Sequence, residues 1–146
     1  MMTAGEKPWH RSALAFDWGL RWIGAAVGQT RTATAEPLAT LKARDGIPDW
    51  TRIGALIEEW RPDVVVVGLP LNMDGSESEG CAAARRFGRR IAGRFGQIVE
   101  FQDERLSSRE ALERGGERSR NEVHDRAAQV ILEDWLAAQP RSCVRG

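Results

Sequence analysis

The sequence predicts a single α/β domain in which a mixed five-stranded sheet is flanked by helices. Its 146 residues suffice for one core of two or three layers. Short segments of β type alternate with longer segments of helical period, and no repeat or low-complexity linker divides them. We therefore expect one domain over residues 1–146, with flexible tails at about residues 1–11 and 139–146.

The first half of the chain predicts a small group of strands followed by a helix. The expected strands are residues 12–17, 23–29 and 36–41. The first two are close enough in sequence to pair as a hairpin around Gly19. Apolar residues then recur at helical spacing from Trp50 to Trp60. Asp49 is the expected N-cap of this helix, and the segment 61–63, which contains a proline, is expected to end it.

The second half predicts strands that alternate with helices. Val64–Val67 is an unbroken β-branched run, typical of a strand covered on both faces. A turn over residues 68–75 separates this run from a helix that extends from Ser76 to about Arg94. The remaining expected elements are a strand at 98–102, a helix at 106–114 capped by Ser107 or Ser108, a polar loop at 115–121 and a helix at 123–138. Hairpin pairing at the front and βαβ units behind imply a mixed sheet.

The composition is that of a soluble globular protein, with 42% hydrophobic residues, 29% charged residues and a formal net charge of zero. No apolar run approaches the roughly 20 residues that span a bilayer, and the N-terminus lacks the apolar region of a secretory signal. Cys81 and Cys143 have neither CxxC nor Cys/His spacing, so a zinc site or disulfide framework is not expected. We expect a cytoplasmic protein without membrane association.

Arginines are concentrated in one segment despite the zero net charge. Residues 85–94 contain no acid and five arginines, namely Arg85, Arg86, Arg89, Arg90 and Arg94. On a helix, the four-residue spacing within this set places them on one cationic face. Two interpretations of that face stay open: a solvated helix surface, or a contact with phosphate oxygens, which suit the guanidinium fork.

Three acids occupy positions where α/β sheets collect function, at strand ends and helix starts. Asp17 closes the first strand, Glu104 follows the last, and Asp125 lies near the start of the final helix, at the edge of its apolar arc. Each has a structural alternative: Asp17 as a turn residue, Asp125 as a helix-terminal acid, and Asp103 as a competitor of Glu104 on the opposite strand face. As a set, they are hard oxygen ligands suited to Mg²⁺ or Mn²⁺ and to phosphodiester hydrolysis.

The sequence resembles one known family, the YqgF/RuvX proteins, which are described as pre-16S rRNA nucleases and earlier as Holliday-junction-resolvase-like. The segments that carry the resemblance are 16–28 (FDWGLRWIGAAVG), 67–76 (VGLPLNMDGS), 103–111 (DERLSSREA) and 124–132 (HDRAAQVIL). They follow the family's order and span nearly the whole chain. The second and third segments are specific, whereas the Asp-x-Gly turn in the first also occurs in actin-like kinases.

The resemblance implies a ribonuclease-H-like fold, with Asp17, Glu104 and Asp125 in the family's acidic positions as catalytic residues and metal ligands. It also implies a set of substrate-binding residues: Arg21, Asn72, Asp74, Ser76 and Arg105. Trp22 departs from the small or basic residue that the family usually has at this position.

These observations lead to the hypothesis of a Mg²⁺-dependent nuclease that cleaves structured RNA and processes the 16S rRNA precursor, with the ribosome as a possible partner. Cleavage of branched DNA is an alternative that uses the same acids, and such resolvases generally act as homodimers. A non-catalytic RNA-binding factor of ribosome assembly is a third reading, in which the arginines matter and the acids do not. The sequence is compatible with a monomer or a homodimer. An actin-like ATPase fits poorly, because those proteins place two such domains around the nucleotide.

Overall fold

The computed structural model describes residues 11–72, 74–105 and 120–139, without the side chains of residues 79, 105 and 120–125. Within these residues the chain forms a mixed six-stranded sheet with helices on both faces. The strands are β1 (Ser12–Asp17), β2 (Trp22–Gln29), β3 (Thr34–Arg44), β4 (Ile47–Pro48), β5 (Val64–Leu71) and β6 (Val99–Arg105).

The strand order across the sheet is β4-β3-β2-β1-β5-β6. The first four strands form an antiparallel meander, whereas β5 pairs in parallel with both β1 and β6. The short local connections of the meander permit antiparallel pairing, and each parallel pair is joined through a helical crossover. The carboxyl ends of β1, β5 and β6 therefore lie along one edge of the sheet, which we call the carboxyl edge.

The helices are α1 (Trp50–Trp60), α2 (Glu79–Phe95) and α3 (Arg120–Ala137). The Asp49 side chain accepts a hydrogen bond from the Thr51 backbone N–H at 3.0 Å, as expected for the N-cap of α1. Arg61 ends α1 in a left-handed conformation with φ of 44°. Among the described residues, none of the helices combines the length and the hydrophobicity needed to span a bilayer.

The sheet separates two apolar layers, because successive side chains of a strand point to opposite faces. One layer joins Leu14 and Phe16 of β1 to buried residues of α1 and α2, including Ile53 and Phe87. The other joins Ala13 and Ala15 of β1 to α3. The small residues of β1 on this second face leave room for α3 to approach the sheet closely. Two-sided burial of the central strands explains the continuous apolar run in β5.

The predicted α/β fold is confirmed, with differences in strand number and boundaries. The sheet has six strands rather than five, because the two-residue β4 extends the meander after a tight turn at Asp45 and Gly46. Residues 68–71 continue β5 instead of forming a turn, and α2 begins at Glu79 rather than Ser76. The intervening residues fold back on β5, where Leu71 forms a bridge with Glu77.

Several boundaries lie a few residues from their predicted positions. Strand β3 covers residues 34–44 instead of 36–41, and β6 extends to Arg105 instead of ending at 102. Helix α3 starts at Arg120, within the segment 115–121 that was expected to be a loop. The helix predicted at 106–114, with its cap at Ser107 or Ser108, lies outside the described residues.

The described part of the chain begins at Arg11, at the boundary of the predicted N-terminal tail. The Arg11 backbone N–H donates to the Thr30 hydroxyl at 2.8 Å, and its guanidinium donates to Glu100 at 3.1 Å. The guanidinium also lies 5.4 Å from the Trp135 ring centroid. These contacts fix the amino end of β1 against β6 and α3.

Candidate active site

Asp17 and Glu104 lie on the same face of the sheet, at the carboxyl edge. Successive side chains of β1 point to opposite faces of the sheet. Phe16 points towards α1 and α2, so its neighbour Asp17 points towards α3, as Ala13 and Ala15 do. Glu104 follows Glu100 by four residues in β6, so the two side chains point to the same face of the sheet. The Glu100 carboxylate accepts a hydrogen bond from α3. Both acids are half-buried, and both have interaction partners.

Asp103 points to the opposite face of the sheet, towards α2. It lies two residues after Phe101 in β6 and shares its face, and Phe101 packs in the layer beneath α1 and α2. The pKa of the Arg85 guanidinium on α2 is raised, chiefly by a hydrogen bond and charge attraction from Glu77, and Asp103 adds a smaller attraction from nearby. Of the two adjacent acids, only Glu104 therefore shares a face with Asp17.

Helix α3 crosses this face of the sheet, with Leu132 against Gly28 of β2 and Ile131 against Gly68 of β5. Ile131 lies over Gly68, where a Cβ atom would be 2.4 Å from the Ile131 Cδ1 atom. One turn later, Trp135 Nε1 donates to Glu100 Oε1 at 2.8 Å. Glu100 is level with Val66, two residues before Gly68 in β5. The helix thus runs from the carboxyl ends of β5 and β6 towards their amino ends.

This direction determines where the backbone of Asp125 lies. Asp125 precedes Ile131 by six residues in α3, or about 9 Å along the helix axis. The early turns of α3 therefore extend towards the carboxyl edge, where Asp17 and Glu104 are found. The helical period places Ala128, Leu132 and Leu136 on the same side of α3 as Asp125, and all three are buried. The side chain of Asp125 is outside the described residues, so its contact with the other acids stays a prediction.

The described residues of the predicted substrate loop, 72 and 74–76, lie at the carboxyl end of β5, between the strands of Asp17 and Glu104. They form a closed turn: Asn72 Nδ2 donates to Ser76 Oγ at 3.0 Å, and the Ser76 backbone N–H donates to Asp74 Oδ1 at 2.9 Å. The Ser76 hydroxyl also donates to Asp74 Oδ1, at 2.6 Å. The three side chains are exposed yet fixed to one another, which preorganises their polar atoms at this edge.

An ion pair connects this loop to α2. Arg85 Nη2 donates to Glu77 Oε2 at 2.7 Å, and the Arg85 guanidinium lies 5.8 Å from the Phe101 ring centroid. Glu77 directly follows the predicted substrate residue Ser76, so Arg85 constrains the end of the loop.

The remaining predicted substrate residues also map to the carboxyl edge. Arg21 lies in the turn after β1 with an exposed side chain, and its carbonyl accepts a hydrogen bond from Ala43 at 2.8 Å. Arg105 ends β6, level with Leu71, but its side chain is not among those described. Trp22, which departs from the family pattern, begins β2 and is half-buried.

The described residues fit a divalent cation in the chemistry of their donors. Asp17 and Glu104 present carboxylate oxygens, which Mg²⁺ and Mn²⁺ prefer. Among the residues whose side chains are described, no three His, Cys, Asp or Glu come together as a metal-binding group. A complete set of three acids would therefore need a ligand from outside these side chains, and Asp125 occupies the appropriate part of α3.

The arginine-rich segment does not form one uniform cationic face. Arg85 is engaged with Glu77, and the Arg94 guanidinium lies 4.4 Å from the ring centroid of Trp50. Arg86 and Arg90 instead line a cleft beside α2, and Arg89 is exposed.

Two residues that shape the site were not singled out from the sequence. Gly68 permits the close approach of α3, and Glu77 fixes the substrate loop through Arg85. A glycine inside the apolar run of β5 is a recognisable signal, because glycine within a strand often marks a close backbone approach. The pairing of Glu77 with Arg85 spans a turn and a helix start, which sequence spacing alone does not connect.

Comparison with known proteins identifies close relatives over nearly the whole chain. The RuvX family, described as Holliday junction resolvase, matches residues 11–138. A protein of Marinobacter nauticus, named “Putative pre-16S rRNA nuclease”, is 54% identical over 138 residues, which cover 90% of this chain and 96% of that protein. An Aeromonas hydrophila protein of the same name is 52% identical over 135 residues, covering 88% and 96% of the two chains.

A solved structure shares the fold at low sequence identity. T. thermophilus RuvC in complex with a Holliday junction substrate has a TM-score of 0.52 and 18% identity to this chain. The match covers 88% of this chain and 95% of RuvC. This likeness confirms the predicted ribonuclease-H-like fold.

Proposed function

The chain belongs to the RuvX family of nucleases, and we propose that it cleaves structured RNA by metal-dependent hydrolysis, in processing of the 16S rRNA precursor. The observation that carries this proposal is the placement of Asp17 and Glu104 on one sheet face at the carboxyl edge. The relatives' shared name supports the choice of substrate. A protein acting on this precursor would meet it in the cytoplasm and on the assembling ribosome.

The proposed catalytic residues and metal ligands are Asp17, Glu104 and Asp125, with Mg²⁺ or Mn²⁺ as the cation. Bound Mg²⁺ would supply Lewis-acid stabilisation of the charge that develops on the scissile phosphate. Asp17 is well suited to a fixed ligand position, because β1 is paired on both sides, by β2 and by β5.

The spacing of the strands explains why a third acid from α3 is needed. One strand, β5, separates Asp17 from Glu104, so about 10 Å of sheet lies between them at the usual strand spacing. Helix α3 packs on the same sheet face, and its Ile131 side chain reaches Gly68 of β5, the strand between them. A carboxylate from its first turns would complete a ligand set that neither strand supplies alone.

The substrate's phosphates would lie along the same edge. The closed turn formed by Asn72, Asp74 and Ser76 already holds its amide and hydroxyl groups in place. Binding of the RNA backbone would therefore cost little additional conformational entropy in this turn. Arg21 and Arg105 would add cationic contacts on either side of this turn.

Cleavage assays with purified protein test this function directly. We expect the wild-type chain to cut precursor 16S rRNA in Mg²⁺ and to be inactive in EDTA. Asp17→Asn should reduce the rate by about 100-fold or more with little change in thermal unfolding, because the metal would lose a ligand while the strand pairing persists. Wild-type rates for Asp17→Asn would contradict the metal-site assignment.

The alternatives give different results in the same experiments. Symmetric cutting of a four-way DNA junction by a homodimer, with no cutting of RNA, would indicate a resolvase instead. Full biological complementation by a variant without the three acids, together with RNA binding, would indicate a non-catalytic assembly factor. Mass measurement of the free protein separates a monomer from a homodimer.

A further inference from the structure

A cleft beside the candidate active site lies between α2 and the turn that joins β3 to β4. It is a small cleft, largely open to solvent. The residues that characterise it are Trp18, Asp45, Ile47, Trp50, Arg86 and Arg90. None of them belongs to the set of acids or to the substrate loop described above.

The aromatic wall of the cleft is held in a fixed position. Trp18 Nε1 donates to the Gly46 carbonyl at 3.0 Å. Gly46 has a φ of +84°, and a Cβ at this position would lie 2.4 Å from the Trp18 Cζ2 atom. The turn therefore packs against the indole, and glycine is required both by its backbone conformation and by this contact.

The cationic side of the cleft consists of two arginines from successive turns of α2. Arg86 and Arg90 are both exposed, and neither forms an ion pair within the described part of the chain. Asp45, also exposed, is the acid among the cleft residues. The cleft thus has an excess of positive charge, in contrast to Arg85, whose charge is balanced by Glu77.

Large apolar side chains are exposed at the same place. Ile47, which lines the cleft, is 56% exposed, and Leu20 is 62% exposed. Leu20 is close by, because its carbonyl accepts a hydrogen bond from the Gly46 backbone N–H at 2.8 Å. Exposed apolar groups beside unpaired arginines suit a ligand that has both an apolar ring face and a phosphate. Nucleotides of single-stranded nucleic acid combine these two features.

The position of the cleft relates it to the chemistry of the site. Trp18 directly follows Asp17, and its indole packs in the layer opposite the face of Asp17. A strand whose phosphate lies at Asp17 could therefore pass around the end of β1 and enter the cleft with a neighbouring nucleotide.

We propose that this cleft binds an unpaired RNA nucleotide that flanks the cleavage site, with Arg86 and Arg90 holding its phosphate and Trp18 and Ile47 contacting its base. This proposal rests on the proposed nuclease function for the identity of the nucleic acid. The predicted contact is a binding contact, so it does not depend on cleavage being observed.

The test measures binding in EDTA, using a fluorescein-labelled RNA hairpin with a short single-stranded tail and the same hairpin without the tail. For the tailed hairpin, we expect the double variant Arg86→Gln/Arg90→Gln to bind about tenfold more weakly near 0.1 M salt. The slope of log affinity against log salt should become smaller by about 1. The hairpin without the tail should lose much less affinity in the double variant.

Two further variants make the comparison specific. Arg89→Gln removes an exposed arginine from the same helix outside the cleft, and its binding should stay within about twofold of wild type. Asp45→Asn should strengthen binding of the tailed hairpin, because it removes the negative charge of the cleft. Asparagine also tolerates the φ of 53° at this position, so the turn should persist.

Each outcome decides the proposal. Equal losses for Arg89→Gln and the double variant would overturn it, as would equal losses for the hairpins with and without the tail. If the expected binding pattern is found but the wild-type chain cleaves no RNA in Mg²⁺, the nuclease proposal fails and the cleft proposal stands. If cleavage occurs but the cleft variants bind as tightly as wild type, the cleft proposal fails and the nuclease proposal stands.

Discussion

Ile131 of α3 lies so close to Gly68 of β5 that a Cβ at residue 68 would be 2.4 Å from the Ile131 Cδ1 atom. Ile131 is only 3% exposed, so its side chain has little room to move away. The absence of a side chain at Gly68 therefore sets the height of α3 above the sheet. Through α3, it also sets the position of Asp125 relative to Asp17 and Glu104.

Gly68→Ala should therefore weaken both the fold and the activity. Overpacking against Ile131 should cost about 1–3 kcal/mol of unfolding free energy, measured by urea denaturation. A displaced α3 should lower the cleavage rate by about tenfold, because small misplacements of catalytic groups have large effects. Removing the Cδ1 methyl with Ile131→Val in the same chain should recover part of both losses.

Gly93→Ala is the matched control, because a Cβ at residue 93 would point into open space, with no contact within 4 Å beyond its neighbours and its own helix backbone. Gly93 lies within α2, where alanine should add about 0.5–1 kcal/mol of stability. A Gly68→Ala variant as stable and active as wild type would show that the close approach of α3 is not required.

Trp135 fixes the other end of α3, because its Nε1 donates to Glu100 at 2.8 Å. Trp135→Phe keeps much of the buried ring and removes this hydrogen bond. We expect the unfolding free energy to fall by about 1–3 kcal/mol in urea denaturation. Trp60→Phe, at a side chain that is 40% exposed, should change it by less than about 0.5 kcal/mol. Equal effects of the two substitutions would argue against the hydrogen bond as an anchor.

The Arg85–Glu77 ion pair should affect substrate binding more than the chemical step, because it fixes the end of the substrate loop. For Arg85→Gln we expect KM to rise about two- to fivefold with little change in kcat, in line with an exposed ion pair. Adding Glu77→Gln to this variant should produce no further rise, since the pair is already broken. Independent, multiplying effects of the two substitutions would contradict this role.

The fold could be predicted from the sequence to the extent that local patterns determine it. The helical period from Trp50 to Trp60, with Asp49 as N-cap, gave α1 with its observed boundaries. Strand β4 was missed, because it has two residues and depends on pairing with β3. The extension of β5 through Pro70 was also missed, because a glycine and a proline suggest a turn while tertiary pairing with β6 keeps the strand extended.

The candidate site also has features that local sequence predicts and features that depend on long-range contacts. Alternation within β6 was enough to place Asp103 and Glu104 on opposite faces, but not to decide which face carries α3. That face depends on long-range contacts, such as Trp135 with Glu100. The cleft of Trp18 and Arg90 brings together a strand end and a helix far apart in sequence, and no local spacing connects them.

The central claim is that the acids on the α3 face of the carboxyl edge carry the chemistry, and adjacent residues of β6 provide the sharpest test. The measurement is the single-turnover rate of precursor-RNA cleavage in Mg²⁺ for Glu104→Gln and Asp103→Asn. Glu104→Gln should lower the rate by about 100-fold or more, whereas Asp103→Asn should stay within about threefold of wild type. Equal rates for the two variants, or a larger loss for Asp103→Asn, would contradict the account.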